Sequence, residues 1–203
     1  MPSAVNSQLS SSPVHHPDHC FGLVPALIRW TDDRRSKPLD IFTSIGGWKQ
    51  LALLFQAGAT DPERCLSFPL RWVETQEDGV IGPYRLRTAL TRHSMPNRAI
   101  QLETGNAAFA YSGDGRTTPD SEALFRGDDL LFHECLTVEP DPVQPFYAAY
   151  GQLSDFPDRL GVRAMRLYHV DRPFSDSVSL IQQFSAMPVR PATGWLRLAS
   201  GGG

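Results

Sequence analysis

Short apolar runs alternate with stretches of helical periodicity along most of the chain. Leu23, Leu27 and Trp30 recur at helical spacing, which predicts a helix over Cys20–Trp30. Gly46–Gly58 carries apolar residues at the same spacing and closes on a glycine suited to a helix C-cap. Because such helical segments alternate with strand-like runs, the pattern is typical of an α/β domain.

The apolar runs between the helical segments predict strands at Leu39–Thr43, Phe68–Glu74, Tyr84–Thr91, Asn97–Glu103, Ala107–Ser112, Asp129–His133, Ala164–Tyr168 and Trp195–Leu198. Two of them flank Thr104-Gly105-Asn106, a turn signal that predicts a β-hairpin. Further helices are predicted at Ser121–Phe125, Tyr147–Leu160 and Val178–Phe184.

Composition narrows the class of protein. The chain has 203 residues with ordinary hydrophobic and charged fractions, so we expect one globular domain over residues 14–200 after a flexible, Ser-rich lead-in at Met1–Pro13. The formal net charge of −3 argues against general binding to the nucleic-acid backbone, because such binding needs clustered Lys and Arg.

The compartment is predicted from cysteine usage and apolar runs. Cys20, Cys65 and Cys135 form no CxxC pair, so neither a disulfide framework nor a structural zinc site is indicated. The start of the chain lacks a signal-peptide pattern, and no run is apolar enough to span a bilayer. We therefore expect a soluble cytoplasmic protein with no membrane partner.

Histidine and aspartate cluster in the segment from Val14 to Gly22. His16, Asp18 and His19 lie just before the first predicted helix, and their nitrogen and oxygen donors suit zinc and related divalent metals. The alternative is a polar His-rich terminus without a ligand. The segment alone does not decide between the two.

Other polar residues follow predicted strands, where ligands of α/β sheets commonly bind. Asp114 lies in a Gly-Asp-Gly turn after one strand, His133-Glu134 ends another, and His169 follows a third, while His93 comes after Tyr84–Thr91. Each of these alone has an ordinary structural explanation, such as a turn aspartate or a buried polar pair.

The order and spacing of these residues resemble the metallo-β-lactamase superfamily, in particular its ribonuclease Z-like branch of phosphodiesterases. That pattern is His-x-His-x-Asp-His-x-x-Gly, a later His, a Tyr-[ST]-Gly-Asp segment, a strand ending His-Glu, and a last His after a strand. Ala110–Gly115 and Asp128–Cys135 match its middle block, and Leu160–Asp171 matches its end. The resemblance implies an αββα sandwich of the metallo-β-lactamase type.

The resemblance also implies two divalent metal ions, zinc as the first expectation and manganese as the alternative. One ion would take His16, His93 and Asp114. The other would take Asp18, His19, His169 and the bridging Asp114, and the two aspartates would be the catalytic carboxylates. Glu134 or His133 would orient a metal-ligating side chain without contacting the metal ion itself. The implied chemistry is hydrolysis by a metal-bound hydroxide.

Two departures from the pattern concern the start of the chain. Val14 stands where the first motif histidine is expected, so the first ion would lose a ligand. Only Met1–Pro13 precedes the motif, whereas the family places strands there, so we expect one sheet to lack its N-terminal strands. A homodimer would cover the face that this leaves open.

Two further departures concern the substrate. There is no room between His93 and Asp114 for the arm with which tRNA-processing members hold tRNA, so tRNA is not the expected substrate. The family's additional catalytic histidine would fall near Pro145-Phe146-Tyr147, where Tyr147 offers only a hydroxyl. The resemblance implies a phosphodiesterase, and the compact form suits a small phosphodiester or cyclic nucleotide as its substrate. The alternatives are an inactive binding module of the same fold and a thioester or acyl hydrolase of the same superfamily.

Overall fold

The computed structural model describes residues 20–43, 47–57, 65–74, 78–94, 96–170 and 189–191. Its helices are α1 (Leu23–Asp32), α2 (Gly47–Ala57), α3 (Pro119–Phe125), α4 (Tyr150–Leu153) and α5 (Phe156–Leu160). Its strands are β1 (Leu39–Thr43), β2 (Leu70–Glu74), β3 (Asp78–Ile81), β4 (Tyr84–Leu90), β5 (Arg98–Glu103), β6 (Ala108–Tyr111), β7 (Leu130–Glu134), β8 (Met165–Tyr168) and β9 (Val189–Pro191).

The chain divides into two compact units, Met1–Gly79 with Ser94–Asn97, and Val80–His93 with Arg98–Gly203. In the first unit, β1 and β2 pair in parallel. Its core is formed by Leu27 of α1 with two phenylalanines, Phe55 and Phe68. The helical spacing of the apolar residues in α1 and α2 places these side chains inside.

The second unit is built on a sheet with the strand order β3-β4-β5-β6-β7-β8-β9. The β4–β5 and β5–β6 pairs are antiparallel, whereas β6, β7, β8 and β9 run parallel to one another. Because parallel strands end at the same edge of a sheet, the residues that follow β6, β7 and β8 come together there. This edge positions the candidate site.

One face of that sheet packs into the larger core of the second unit. Leu131, Met165 and Leu167 are at most 1% exposed, and they lie in one cluster with Phe125 of α3 and Leu160 of α5. Burial of this apolar surface stabilises the strands whose ends carry the candidate site.

The predicted α/β class is confirmed, and the strands predicted from Leu39 to Tyr168 appear with ends shifted by a few residues. The helix predicted over Tyr147–Leu160 is wrong as a single element. It forms two short helices, α4 and α5, because Pro157 lacks the N–H that a continuing helix needs. Tyr147 lies in the loop before α4, because that helix begins only at Tyr150.

The sequence patterns did not predict the strands β3 and β9. The predicted helix at Val178–Phe184, the strand at Trp195–Leu198 and the lead-in at Met1–Pro13 lie outside the described residues. No helix in the part of the chain that the structure describes is long and apolar enough to cross a membrane.

A buried carboxyl group lies between β5 and the loop before β7. Asp128 is 1% exposed, and its Oδ1 accepts a hydrogen bond of 2.6 Å from Nε2 of Gln101. The same Nε2 donates to the carbonyl oxygen of Leu124 at 2.6 Å. Burial raises the pKa of Asp128 to about 6, although the Gln101 hydrogen bond opposes the shift.

We expect Asp128→Asn to remove a pH dependence of stability. Because the folded pKa exceeds the unfolded value, the wild-type chain loses stability as the pH rises from about 4 to about 6, by up to roughly 3 kcal/mol. The variant keeps an oxygen acceptor for Gln101 and does not ionise. Urea unfolding should therefore show that the free energy of unfolding of the variant, relative to that of the wild type, is higher at pH 7 than at pH 4.5. Asp78→Asn, at an exposed position, is the control. The same difference in unfolding free energy between variant and wild type at both pH values would contradict the role of Asp128 ionisation.

Candidate functional site

Three strand ends of the parallel part of the sheet bring polar side chains to one edge. Asp114 follows β6, Glu134 ends β7, and His169 follows β8. Backbone hydrogen bonds continue past the strands, from the Ser112 N–H to the Phe132 carbonyl at 2.9 Å and from the Cys135 N–H to the Tyr168 carbonyl at 3.0 Å. The loops that leave the sheet are therefore held in register beyond the last strand residues.

The Asp114 carboxylate lies between two imidazole rings. Its Oδ2 is 3.4 Å from Nε2 of His93, and its Oδ1 is 3.4 Å from Nδ1 of His169. The side chains of Asp114 and His93 are 2% and 1% exposed, and that of His169 is 20% exposed. The structure thus brings together three of the six predicted ligands, with one carboxylate oxygen facing each histidine.

These separations fit two donors that share a metal ion. An N–H···O hydrogen bond usually measures about 2.7–3.2 Å, so 3.4 Å is long for one. Two donors on a tetrahedral zinc ion with bonds of about 2.0–2.1 Å are about 3.3–3.4 Å apart. Imidazole nitrogen and carboxylate oxygen are also the donor types that zinc takes.

Each Asp114–histidine pair supplies two donors. In the described ranges, no group of three or more His, Cys, Asp or Glu side chains has the geometry of a complete metal site. The other predicted ligands, His16, Asp18 and His19, lie outside the described residues, as does Val14. Their role as ligands stays a prediction.

The glycine after Asp114 allows the close approach of His93. Arg92 and Arg116 exchange backbone hydrogen bonds of 2.8 and 3.1 Å, which bring the segment after β4 against the segment after β6. A Cβ atom on Gly115 would lie 2.7 Å from the Arg92 carbonyl oxygen and 3.0 Å from the His93 Cβ. Only glycine fits this position without a shift of one segment.

The backbone of His169 is in the left-handed region, with φ at 60°. This conformation is uncommon for residues other than glycine and costs on the order of 1–3 kcal/mol. The surrounding structure must therefore hold the residue in place. The conformation turns the chain at the end of β8, where Nδ1 of His169 faces Asp114.

Tyr147 adds a hydroxyl group beside the two histidines. Its ring centroid is 5.5 Å from that of His93 and 5.3 Å from that of His169. Its hydroxyl oxygen is 3.5 Å from Nε2 of His93, the same nitrogen that faces Asp114. The side chain is half-buried.

Two side chains hold the loop that carries Tyr147. On one side, Nη1 of Arg116 donates to the Pro145 carbonyl at 3.1 Å, and the Arg116 N–H donates to the Phe146 carbonyl at 2.9 Å. On the other side, Oε1 of Glu134 accepts a hydrogen bond of 2.6 Å from the Ala148 N–H. Tyr147 is thus fixed by contacts immediately before and after it.

The two residues of the His-Glu pair have different surroundings. Glu134 is fully buried, and burial raises its pKa to about 8, against the Ala148 hydrogen bond. His133 points into the core, edge-on to Phe125 and Phe156, with its Nδ1 2.6 Å from the Glu134 carbonyl oxygen. Burial lowers the pKa of His133 to about 4, so it is neutral at pH 7. These contacts give Glu134 a positioning role toward the Tyr147 loop and make His133 a core residue.

Sequence analysis missed Arg116 and misplaced Tyr147. Arg116 directly follows the Gly-Asp-Gly turn, but its partners lie far along the sequence, and no local pattern signals them. Pro157 signals the break between α4 and α5, but no local pattern starts α4 at Tyr150 rather than at Tyr147.

Neither a protein-family model nor a curated protein sequence matches the chain. Among solved structures, it is similar to the metallo-beta-lactamase fold protein YhfI from Bacillus subtilis, with a TM-score of 0.68 and 17% identity, covering 89% of this chain and 73% of that chain. The short form of human tRNase Z has a TM-score of 0.65 and 16% identity, covering 80% and 72%. Zinc-bound PqqB from Methylobacterium extorquens has a TM-score of 0.61 and 14% identity, covering 85% and 67%.

We expect Gly115→Ala to move His93 away from Asp114. The added methyl group meets backbone and Cβ atoms rather than a flexible side chain, so the cost should be about 1–3 kcal/mol of unfolding free energy. Thermal unfolding should show a lower stability, and zinc titration should show weaker zinc binding. Gly105→Ala is the matched control, because nothing lies within 4 Å of a Cβ there. Equal losses in both variants would contradict the role of the close contact.

Proposed function

Because the chain has the metallo-β-lactamase fold, we propose that it is a metal-dependent hydrolase that cleaves a small phosphodiester or cyclic nucleotide. The observation that carries the proposal is the buried Asp114 carboxylate between the imidazoles of His93 and His169. Carboxylate oxygen and imidazole nitrogen are donor types that a divalent cation takes, and here each carboxylate oxygen faces one ring nitrogen at 3.4 Å.

In this proposal Asp114 bridges two metal ions, most readily zinc, with manganese as the alternative. His93 would hold one ion through Nε2, and His169 would hold the other through Nδ1. His16, Asp18 and His19 remain the predicted further ligands. When bound, such ions activate water and polarise a phosphoryl oxygen.

Tyr147 has a separate role in this proposal. Its phenolic O–H donates a hydrogen bond to an oxygen of the substrate, either on the phosphoryl group or on the leaving group. The Arg116 and Glu134 contacts hold the loop so that the donor needs little rearrangement when the substrate binds. The resemblance places a histidine near this position, and Tyr147 offers a hydroxyl group there instead.

Two considerations support the substrate class. The residues of the middle block, Ala110–Gly115 and Asp128–Cys135, resemble the phosphodiesterase branch most closely, and one of the similar structures is a tRNase. The net charge of −3 and the short His93–Asp114 interval favour a substrate smaller than tRNA.

One feature favours a second candidate function. Val14 supplies no metal donor where the resemblance expects a histidine, which favours a binding module that has lost catalysis. A thioester or acyl hydrolase uses the same metal chemistry, so it differs from the main proposal only in the substrate that is turned over.

The direct test uses the full chain loaded with zinc or manganese and measures metal content together with hydrolysis of bis-(p-nitrophenyl) phosphate. We expect bound metal and turnover in the wild type. Asp114→Asn should lose metal and reduce the rate to that without enzyme, whereas Asp158→Asn, exposed in α5, should match the wild type. Folded wild-type protein without metal or turnover would refute the proposal. Metal without turnover of this ester or of a thioester would favour the binding module.

We expect Tyr147→Phe to lower kcat for the same ester by about 100-fold, because one hydrogen-bond donor to the substrate is lost. Metal content should stay that of the wild type, since the ring and its packing against both histidines remain. Tyr84→Phe, at an exposed position on β4, controls for loss of a phenol elsewhere. An unchanged kcat in Tyr147→Phe would rule out the donor role.

A further inference from the structure

Tyr168 links the segment that carries His169 to the segment that carries Asp114. It is the last residue of β8 and directly precedes His169. Its hydroxyl group donates a hydrogen bond to the carbonyl oxygen of Gly113, the residue before Asp114. Because β6 and β8 each pair with β7 and not with one another, this bond passes over the end of the strand between them.

Ser112 extends the same network to β7. Its Oγ is 3.2 Å from the Tyr168 hydroxyl oxygen, accepts a hydrogen bond of 2.9 Å from the Glu134 N–H, and lies 3.0 Å from the Gly113 carbonyl oxygen. The side chain is fully buried. The ends of β6, β7 and β8 are therefore joined by side-chain hydrogen bonds in addition to the sheet itself.

The ring and the backbone of Tyr168 are fixed as well as its hydroxyl. The ring stacks on Tyr111, with centroids 4.8 Å apart and an angle of 13° between the planes. The carbonyl oxygen of Tyr168 accepts a hydrogen bond of 3.0 Å from the Cys135 N–H. The residue is thus anchored at three points immediately before the left-handed turn at His169.

Left-handed residues of this kind persist only where their surroundings determine the conformation. The anchoring of Tyr168 fixes the chain on the N-terminal side of His169, and the bond to the Gly113 carbonyl fixes the chain beside Asp114. Together they constrain the 3.4 Å separation between Asp114 Oδ1 and His169 Nδ1 from both sides.

We propose that Tyr168 is a positioning residue whose hydroxyl group holds His169 and Asp114 at the separation that a divalent metal ion requires, before any metal is bound. The inference rests on the proposed metal-binding role of these two residues. It assigns a role to a side chain that is not itself a ligand. Removing a hydrogen bond that orients a ligand typically weakens metal binding by about 10- to 100-fold.

The test titrates the metal-free full chain with Co²⁺ alone and with Zn²⁺ alone, and follows the Co²⁺ absorption spectrum and the heat of zinc binding. Tyr168→Phe keeps the stacked ring and removes the hydroxyl group. We expect about 10- to 100-fold weaker binding of one ion and an altered Co²⁺ spectrum. Tyr84→Phe should bind as the wild type does.

A double-mutant cycle separates positioning from general destabilisation. In a His169→Ala background, Tyr168→Phe should cause a smaller further loss of metal affinity than in the wild type, because the Asp114–His169 separation that it sets no longer exists. Ser112→Ala, which removes the second hydroxyl group of the network, should weaken binding in the same direction and keeps the inference testable if Tyr168→Phe folds poorly.

Unchanged metal affinity in Tyr168→Phe and Ser112→Ala would overturn the inference, and so would an equal loss in the His169→Ala background. Both results leave metal binding by the wild type, and with it the proposed function, standing. A wild-type chain that binds neither Co²⁺ nor Zn²⁺ would instead refute the proposed function, and the inference with it.

Discussion

The placement of the Asp114 carboxylate between two imidazoles is the constraint on which the rest of the site depends. A carboxylate that is 2% exposed loses most of its hydration, so its surroundings have to stabilise it. His93 and His169 each face a different oxygen at 3.4 Å. The parallel pairing of β6, β7 and β8 brings Asp114 and His169 to the same edge of the sheet.

Most of the residues around this carboxylate act on backbone rather than on a ligand directly. Gly115 admits the His93 segment, Tyr168 holds the Gly113 carbonyl, and Glu134 and Arg116 hold the two sides of the Tyr147 loop. Such contacts limit the conformations of the loops that carry the polar side chains. The fold therefore determines the placement of these loops as well as the side chains that they carry.

The parts of the site that the sequence predicts are those that follow strands directly. Asp114 and His169 each come after an apolar run, so their position at a sheet edge is visible locally. The contact between Gly115 and His93 depends on an Arg92–Arg116 pairing across many residues, which no local pattern encodes. The strand β3 was missed because only its last residues are apolar, and β9 because it ends in Pro191. A single helix over Tyr147–Leu160 was predicted because helical spacing outweighed the signal of Pro157.

In the proposed site, Asp114 would share one metal ion with His93 and another with His169. The decisive experiment is a crystal structure of the zinc-loaded chain with anomalous diffraction measured at the zinc absorption edge. We expect one anomalous peak within about 2.3 Å of both Asp114 Oδ2 and His93 Nε2, and a second within the same distance of Asp114 Oδ1 and His169 Nδ1. Zinc peaks elsewhere on the protein, with none beside the Asp114 carboxylate, would contradict it.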